Sequence, residues 1–307
     1  MGTAKEVLDS LRGLDGPTVL ALVEKFPGER EGVDEVLRGE KKIILEEIVR
    51  LLVDKNGRCI PAHLDIKSNV CDEDRDFRVE QPEINYAEIR GRFIEFFPAG
   101  TRFVEANELR DRAEAAKGKF LQDALVANLF KRAALPLPLP QHQVGDYGAS
   151  MQEFFIPAVR AAYKNQFPER QFNNYRDGQL VGNFLLVPNV GHDRLLAAMA
   201  ESTEVCWYFP HPLQGFSVQA QREATAALLE HGLLLAGVIE PALGIVGFTE
   251  TMAGSFNTPG YDCPAVNWRS ADVSFAFGAI SGGLRCGDGG NLCRGGGVCS
   301  GGLVLLG

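Results

Sequence analysis

The sequence predicts an α+β fold: a mainly helical N-terminal part, then an α/β-layered part ending in short glycine-rich antiparallel strands. Three observations predict it. Apolar residues recur at helical spacing through most of the first 135 positions. Between about 180 and 240, strand-like and helix-like segments alternate. Beyond 250 the text turns glycine-, serine- and aromatic-rich, and VSFAFGAI alternates with period two.

The first helix is expected over 4–14, where Val7, Leu8, Leu11 and Leu14 share one face and Asp15-Gly16-Pro17 ends the run. A short helix from Pro17 follows, and a longer one spans 33–55, apolar on more than one face and stopped at Asn56-Gly57. RCIPAHLDI (58–66) and RFIEFFPAGTRFV (92–104) read as β-rich, and 105–117 and 119–134 read as helices. The charged side chains then thin out, 48 in residues 1–135 against 23 in 136–307, while 24 of the 34 glycines fall in the second stretch. At that break runs LPLPLPQHQVGDYG, whose alternating prolines impose an extended path. The predicted organisation is therefore a charged helical domain over 1–134, a proline-rich connector over 135–149, and a mixed domain over 150–307.

In the mixed part, MQEFFIPAVRAAYKNQF (151–167) reads helical, with Pro157 kinking it or starting its main segment. GNFLLVP, EVCWYFP and LLLAGVIE read as strands, separated by the helices HDRLLAAMAES and SVQAQREATAALLEHG. The closing GGLVLLG reads as a last strand tucked into the sheet.

Net charge of −9 and the absence of clustered bases disfavour a nucleic-acid partner. The longest apolar run, 233–248, is shorter than the ~20 residues of a spanning helix and carries Glu240-Pro241 in its middle, so no membrane insertion is expected. The start of the chain does not read as a secretory signal. Seven irregularly spaced cysteines fit reduced thiols and a cytoplasmic location better than a disulfide framework.

Several constellations could carry chemistry. Ligands of an α/β layer sit beyond the carboxyl ends of its strands. The loops there hold His192 and Asp193 after GNFLLVP and His211 after EVCWYFP; with Cys206 they offer a thiol, two imidazoles and a carboxylate for nucleophilic or acid–base catalysis. The bland alternative is also open: Asp193 suits a first helical turn, and Cys206 suits an apolar strand.

Cys59, His63, Asp65 and Cys71 are all metal-ligand types, although C-x3-H-x7-C is not a usual zinc spacing. The acidic run after Cys71 lacks the glycine of a calcium loop, with Phe77 at its sixth position. No phosphate-loop, nucleophile-elbow, H-E-x-x-H or C-x-x-C motif occurs.

Tyr261, Trp268 and Arg269 are residue types enriched in binding hot spots, against the reading of Trp268 as a core anchor. Trp268-Arg269-Ser270, with the alternating strands and Leu284-Arg285-Cys286 behind it, is faintly similar to the closing strands of bacterial C-type-lectin-like modules. The likeness spans some twenty residues of 307, too few for a family assignment. In CGDGGNLCRGGGVCSGG (286–302) the spacings match no metal knuckle and read as turn chemistry, with Cys286 and Cys293 facing each other across a hairpin.

No cofactor follows from these motifs. The lack of any motif of known mechanics favours a non-catalytic binding or structural module with a protein, small-molecule or saccharide partner. The alternative is an enzyme with a His, Cys and Asp site in the loops after residues 188 and 209.

Overall fold

The computed structural model describes residues 58, 60, 64, 66–271, 273–280, 282–288 and 298–307 of the chain. The helices expected over 4–14, 17–26 and 33–55 lie outside the described residues, as does Cys293.

The chain is α+β. Its described helical front comprises α1 (Tyr86–Phe96), α2 (Ala106–Phe120) and α3 (Ala124–Leu129). The β reading of 92–104 is corrected: its first half completes α1. Asn85 caps that helix through Glu88 N–H, and Ile89 and Phe93, four apart, bury one face. Phe93 and Phe97 stack on each other and meet Phe103 edge-on, so the aromatic run that looked like a strand is a ring cluster at a helix end. In 58–66, none of the described positions belongs to a strand.

The proline-rich segment is a strand, β1 (Leu135–Leu139), fully buried and antiparallel to β4 (Glu204–Phe209). Its prolines lack N–H donors and are therefore suited to a sheet edge, where one side of the strand has no ladder to complete. β4 in turn pairs with β11 (Leu303–Leu306), and β11 with β5 (Leu234–Leu235), all antiparallel, giving the order β1-β4-β11-β5. The expected closing strand is thus central to the sheet.

A continuous helical rod follows β1: α4 (Tyr147–Ser150), a π turn (Met151–Phe155) and α5 (Ile156–Gln166). Pro157 sits in the first turn of α5, where its missing N–H costs little, and the Ile156 N–H reaches five residues back to the Met151 carbonyl.

β3 (Phe184–Leu186), α6 (His192–Glu201), β4, α7 (Val218–Leu229) and β5 follow in the expected order. Two parts of that expectation are corrected. β3 and β4 are not parallel neighbours, because β3 pairs with β7 (Val266–Trp268) in a separate ribbon. The strand over 233–240 is only two residues long, and α8 (Ile239–Gly247) takes the rest of the apolar run.

All nine residues of α8 are buried, as a helix apolar on every side must be. It packs against α1, α5 and β1. No helix among the described residues is long and apolar enough to cross a membrane.

β4 joins the layers. Trp207 turns toward α2, donating to the Ala113 carbonyl at 2.9 Å, and Phe130 after α3 packs edge-on against Trp207 and Phe209. On the opposite face Tyr208 lies against Gly244 of α8. The short helix α9 (Thr249–Ala253) leads to a second sheet of β6 (Gly260–Cys263), β8 (Phe275–Ile280), β9 (Gly283–Asp288), β10 (Cys299–Gly301) and β2 (Gln171–Asn174), in the order β10-β6-β8-β9-β2. Its β6-β8-β9 centre is antiparallel, as the period-two pattern predicts.

Candidate functional site

The register of the first sheet places two loop clusters on one rim. Leu303 pairs with Phe209 on one side and Leu235 on the other. β4 and β5 therefore run in the same direction, and the residues after each, Pro210-His211 and Ala236-Gly237, leave the sheet at the same end. The two clusters have opposite character.

The first is closed. His192, at the start of α6, is fully buried, with Nδ1 3.1 Å from Glu240 Oε1 and Nε2 3.1 Å from the Tyr147 hydroxyl. The Gly237 N–H donates to Glu240 Oε2 and the Val238 N–H to the Tyr147 oxygen, each at 2.9 Å. Burial, with Glu240 nearby, holds the Tyr147 phenol well above its usual pKa, so it stays protonated and donates to Nε2. Nδ1–H then donates to Glu240, and every group in the chain is satisfied.

The starts of α4, α6 and α8 all contribute to this knot, and a carboxylate in the first turn of α8 also suits that helix's dipole. Gly237 is required: a Cβ there would lie 2.5 Å from the imidazole and 2.6 Å from the phenol oxygen. Asp193 points to solvent in the first turn of α6.

Cys206 is buried within β4, and burial together with Glu240 raises its pKa well above the ordinary thiol value. That direction is opposite to the one that activates a thiolate.

The second cluster is open. His211 lines a cleft of about 400 Å³ between the end of β4, the loop after α3 and the arm of residues 73–81. Arg75, Arg78, Lys131 and Arg132 bring four cations to it, against the carboxylates of Glu73 and Glu80. Arg132 is engaged with Glu73 through two bonds of 2.8 and 3.2 Å. Neither Arg75 nor Arg78 has a carboxylate partner among the described residues.

The imidazole of His211 is 5% exposed and makes no hydrogen bond among the described residues. Burial, then the charges of Arg132 and Arg78, push its pKa from 6.5 down to about 3. It is a neutral ring held in a positive field.

The walls of this cleft are firmly set. Gln81 pairs with the backbone of Ala134, accepting from its N–H at 2.8 Å and donating to its carbonyl at 3.2 Å, which ties the arm to the start of β1. Gln214 donates to the carbonyls of Asp74 and Phe77 at 3.1 and 3.0 Å. Buried Arg58 donates to the carbonyls of Gln214 and Cys71 and lies over the Phe216 ring. The loop after β4 is thus braced on both sides, and the cleft is formed in advance of any ligand.

The remaining sequence candidates are dispersed. Cys59, His63 and Asp65 lie outside the described residues; Cys71 directs its thiol to the Gly215 carbonyl at 3.3 Å. Among the described residues no group of three His, Cys, Asp or Glu side chains is placed to hold a metal ion.

Tyr261 is fully buried and donates to the Met252 carbonyl; Trp268, 3% exposed, packs on Phe184 and Phe275. Both occupy the core, and only Arg269 of that trio is exposed, folded over the Trp268 ring. An apolar cleft of about 410 Å³ lies on the small-residue face of the second sheet. Its rim residues Asp288 and Val298 border segment 289–297, outside the described residues, and no site is assigned to it.

Sequence reasoning reached His211 but missed Arg75, Arg78, Lys131 and Arg132. The signal was present as the Lys131-Arg132 pair and the arginines of the acidic arm, yet nothing local says that 75–78 and 131–132 meet. Comparison with protein-family models, with curated proteins and with solved structures finds no match for the chain.

Proposed function

We propose that the protein is a non-catalytic binding module for a small anionic molecule, held in the cleft at His211. The observation that carries this reading is an almost fully buried imidazole with no hydrogen-bond partner among the described residues, lining a cleft to which the described residues bring Arg75, Arg78, Lys131 and Arg132 with Glu73 and Glu80. A chain with a net charge of −9 gathers positive charge at one place here, and a pocket that concentrates one sign of charge raises the local concentration of the opposite ion.

The cleft draws Arg75, Arg78, Lys131 and Arg132 from before the compositional break near 135, and His211 from after it. In the two-domain organisation read from the sequence, the ligand would sit at the junction, a common place for small-molecule sites. Cys71, Cys206, Cys263 and Cys286 are free thiols, which supports a reducing, cytoplasmic location.

Thermal unfolding with inorganic phosphate, pyrophosphate and citrate tests the reading. A ligand at 100 times its Kd stabilises by about 2.7 kcal/mol. Arg78 touches the rest of the fold through its backbone N–H to the Asn257 carbonyl, so Arg78→Ala should fold normally and lose most of the anion-induced rise in Tm. No rise with any of the three anions, or an equal rise in Arg78→Ala, refutes it.

A further inference from the structure

Val181, Leu185 and Leu186, exposed by 49%, 58% and 43%, fall together at and just before β3. That strand has a neighbour on one side only, β7, in a ribbon separate from both larger sheets. Leu185 stands opposite Asn267 in the ladder, and it continues at either end through Arg269 N–H to the Asn183 carbonyl and Val187 N–H to the Ala265 carbonyl. Antiparallel strands alternate between bonded and non-bonded pairs, so residues 183, 185 and 187 bond toward β7. The N–H and carbonyl groups of Phe184 and Leu186 therefore point to the open side. Neither residue has another backbone partner among the described residues.

Native edges are usually closed by charged side chains or a covering element. The stretch LVGNFLLVP at 180–188 carries no charge at all, and Pro188, next in the outward-facing series, has no N–H and ends the edge. What is left open is short and self-complementary. Two copies related by a two-fold axis through Leu185 set Phe184 of one opposite Leu186 of the other. Each such pair exchanges two hydrogen bonds, and the two Leu185 side chains meet in the close non-bonded pair between them. On the other face of the ribbon, Leu186 of one copy lies beside Phe184 of the second.

Charge favours the same occupant. A net charge of −9 makes two copies repel over most approaches. An edge with no charged residue is where that repulsion is least, and it offers an acidic or basic partner nothing to pair with. We infer that β3 is a dimerisation edge: two copies of this chain join β3 to β3, antiparallel, about an axis at Leu185, and their ribbons merge into one sheet in the order β7-β3-β3-β7. Such an interface is isologous, each copy contributing the same patch. A strand of three residues buries less than the ~800 Å² per partner of a standard interface, so the dimer is weak and forms with rising concentration.

Sedimentation equilibrium from about 10 µM to about 1 mM, the range in which weak association shows, should raise the average mass from that of one chain toward that of two. Leu185→Lys and Leu185→Glu each place like charges across the axis and should weaken the dimer about tenfold or more. Because the side chain is more than half exposed, both variants should keep the wild-type Tm. An equimolar mixture of the two variants sets lysine against glutamate and should associate more tightly than either alone. That recovery is specific to a register in which residue 185 meets its own counterpart. A wild-type chain that stays monomeric throughout overturns the proposal and leaves the edge to an extended segment of another protein. A dimer that survives unchanged in both variants places the interface elsewhere, and a mixture with no recovery overturns the two-fold register.

Discussion

Glu240 and His192 meet 3.1 Å apart inside the core, each fully buried, with the backbone N–H of Gly237 on the far oxygen of the carboxylate and the Tyr147 hydroxyl on the far nitrogen of the imidazole. Such a pair is costly to break, because removing one member strands the other in a medium that cannot solvate it. Glu240→Gln should therefore lower the unfolding free energy by about 2 to 4 kcal/mol, and Tyr147→Phe by about 1 to 2 kcal/mol, read from urea midpoints at constant m. The Glu240→Gln and Tyr147→Phe losses should sum to more than the double variant loses, since both belong to one network.

His211 makes stability depend on pH in a defined direction. Its ring titrates at about 3 in the folded chain and near 6.5 when unfolded, so between those values the unfolded chain binds the extra proton. The stabilisation is complete above pH 6.5 and is lost as pH falls from 6.5 toward 3, by up to a few kcal/mol at about 1.4 kcal/mol per unit. Urea midpoints measured from pH 7.5 to 4 should fall along this curve. In His211→Asn the decline should be shallower, and an identical decline in both proteins would remove His211 as its cause.

How far the sequence reached is decided by whether the information is local. The helices at 106–120 and 192–201 and the strand at 204–209 carry their period and their stops within themselves, and each lies close to its expected place. RFIEFF failed because its aromatic residues satisfy either period, and only the burial of Phe93 against Phe97 and Phe103 selects the helix. LLLAGVIE failed because a short apolar run does not distinguish a buried strand from a buried helix; Glu240, drawn to His192, and Pro241 in the first turn decide for α8.

At the site, His211 leaves the sheet at the carboxyl end of β4, but the neighbouring strand is not the one read from the sequence. β4 and β5 share a direction because antiparallel β11 lies between them, not because they are neighbours. The arginines of the cleft are contributed by segments more than fifty residues apart, a convergence that no local spacing encodes.

The thiols should divide by burial. Cys206, Cys263 and Cys286 are buried with their pKa values raised, chiefly by burial, so neither access nor thiolate is available to a reagent. Cys71 is half-buried near the surface of the arm. Alkylation of native protein followed by peptide mass spectrometry should label Cys71 while these three remain unmodified until denaturant is added. Labelling of Cys206 under native conditions would contradict its place in β4.

Gly215 links backbone conformation to the cleft. Its φ is +84°, its N–H donates to the Cys299 carbonyl and its own carbonyl accepts from Cys71 N–H, so the loop crosses between the arm and β10 through this residue. A Cβ there would stand 2.5 Å from the Cys71 carbonyl oxygen and 2.7 Å from the Arg58 guanidinium. Gly215→Ala should cost about 1 to 3 kcal/mol of stability, from left-handed strain together with crowding. Gly178 also has a positive φ, +71°, but open space around it, so Gly178→Ala isolates the strain and should cost about 1 kcal/mol. Because Gln214 holds the arm from the adjacent position, Gly215→Ala should also weaken anion binding at His211, whereas Gly178→Ala should leave it unchanged. Equal binding by the two variants would show that the brace from Gln214 does not shape the cleft.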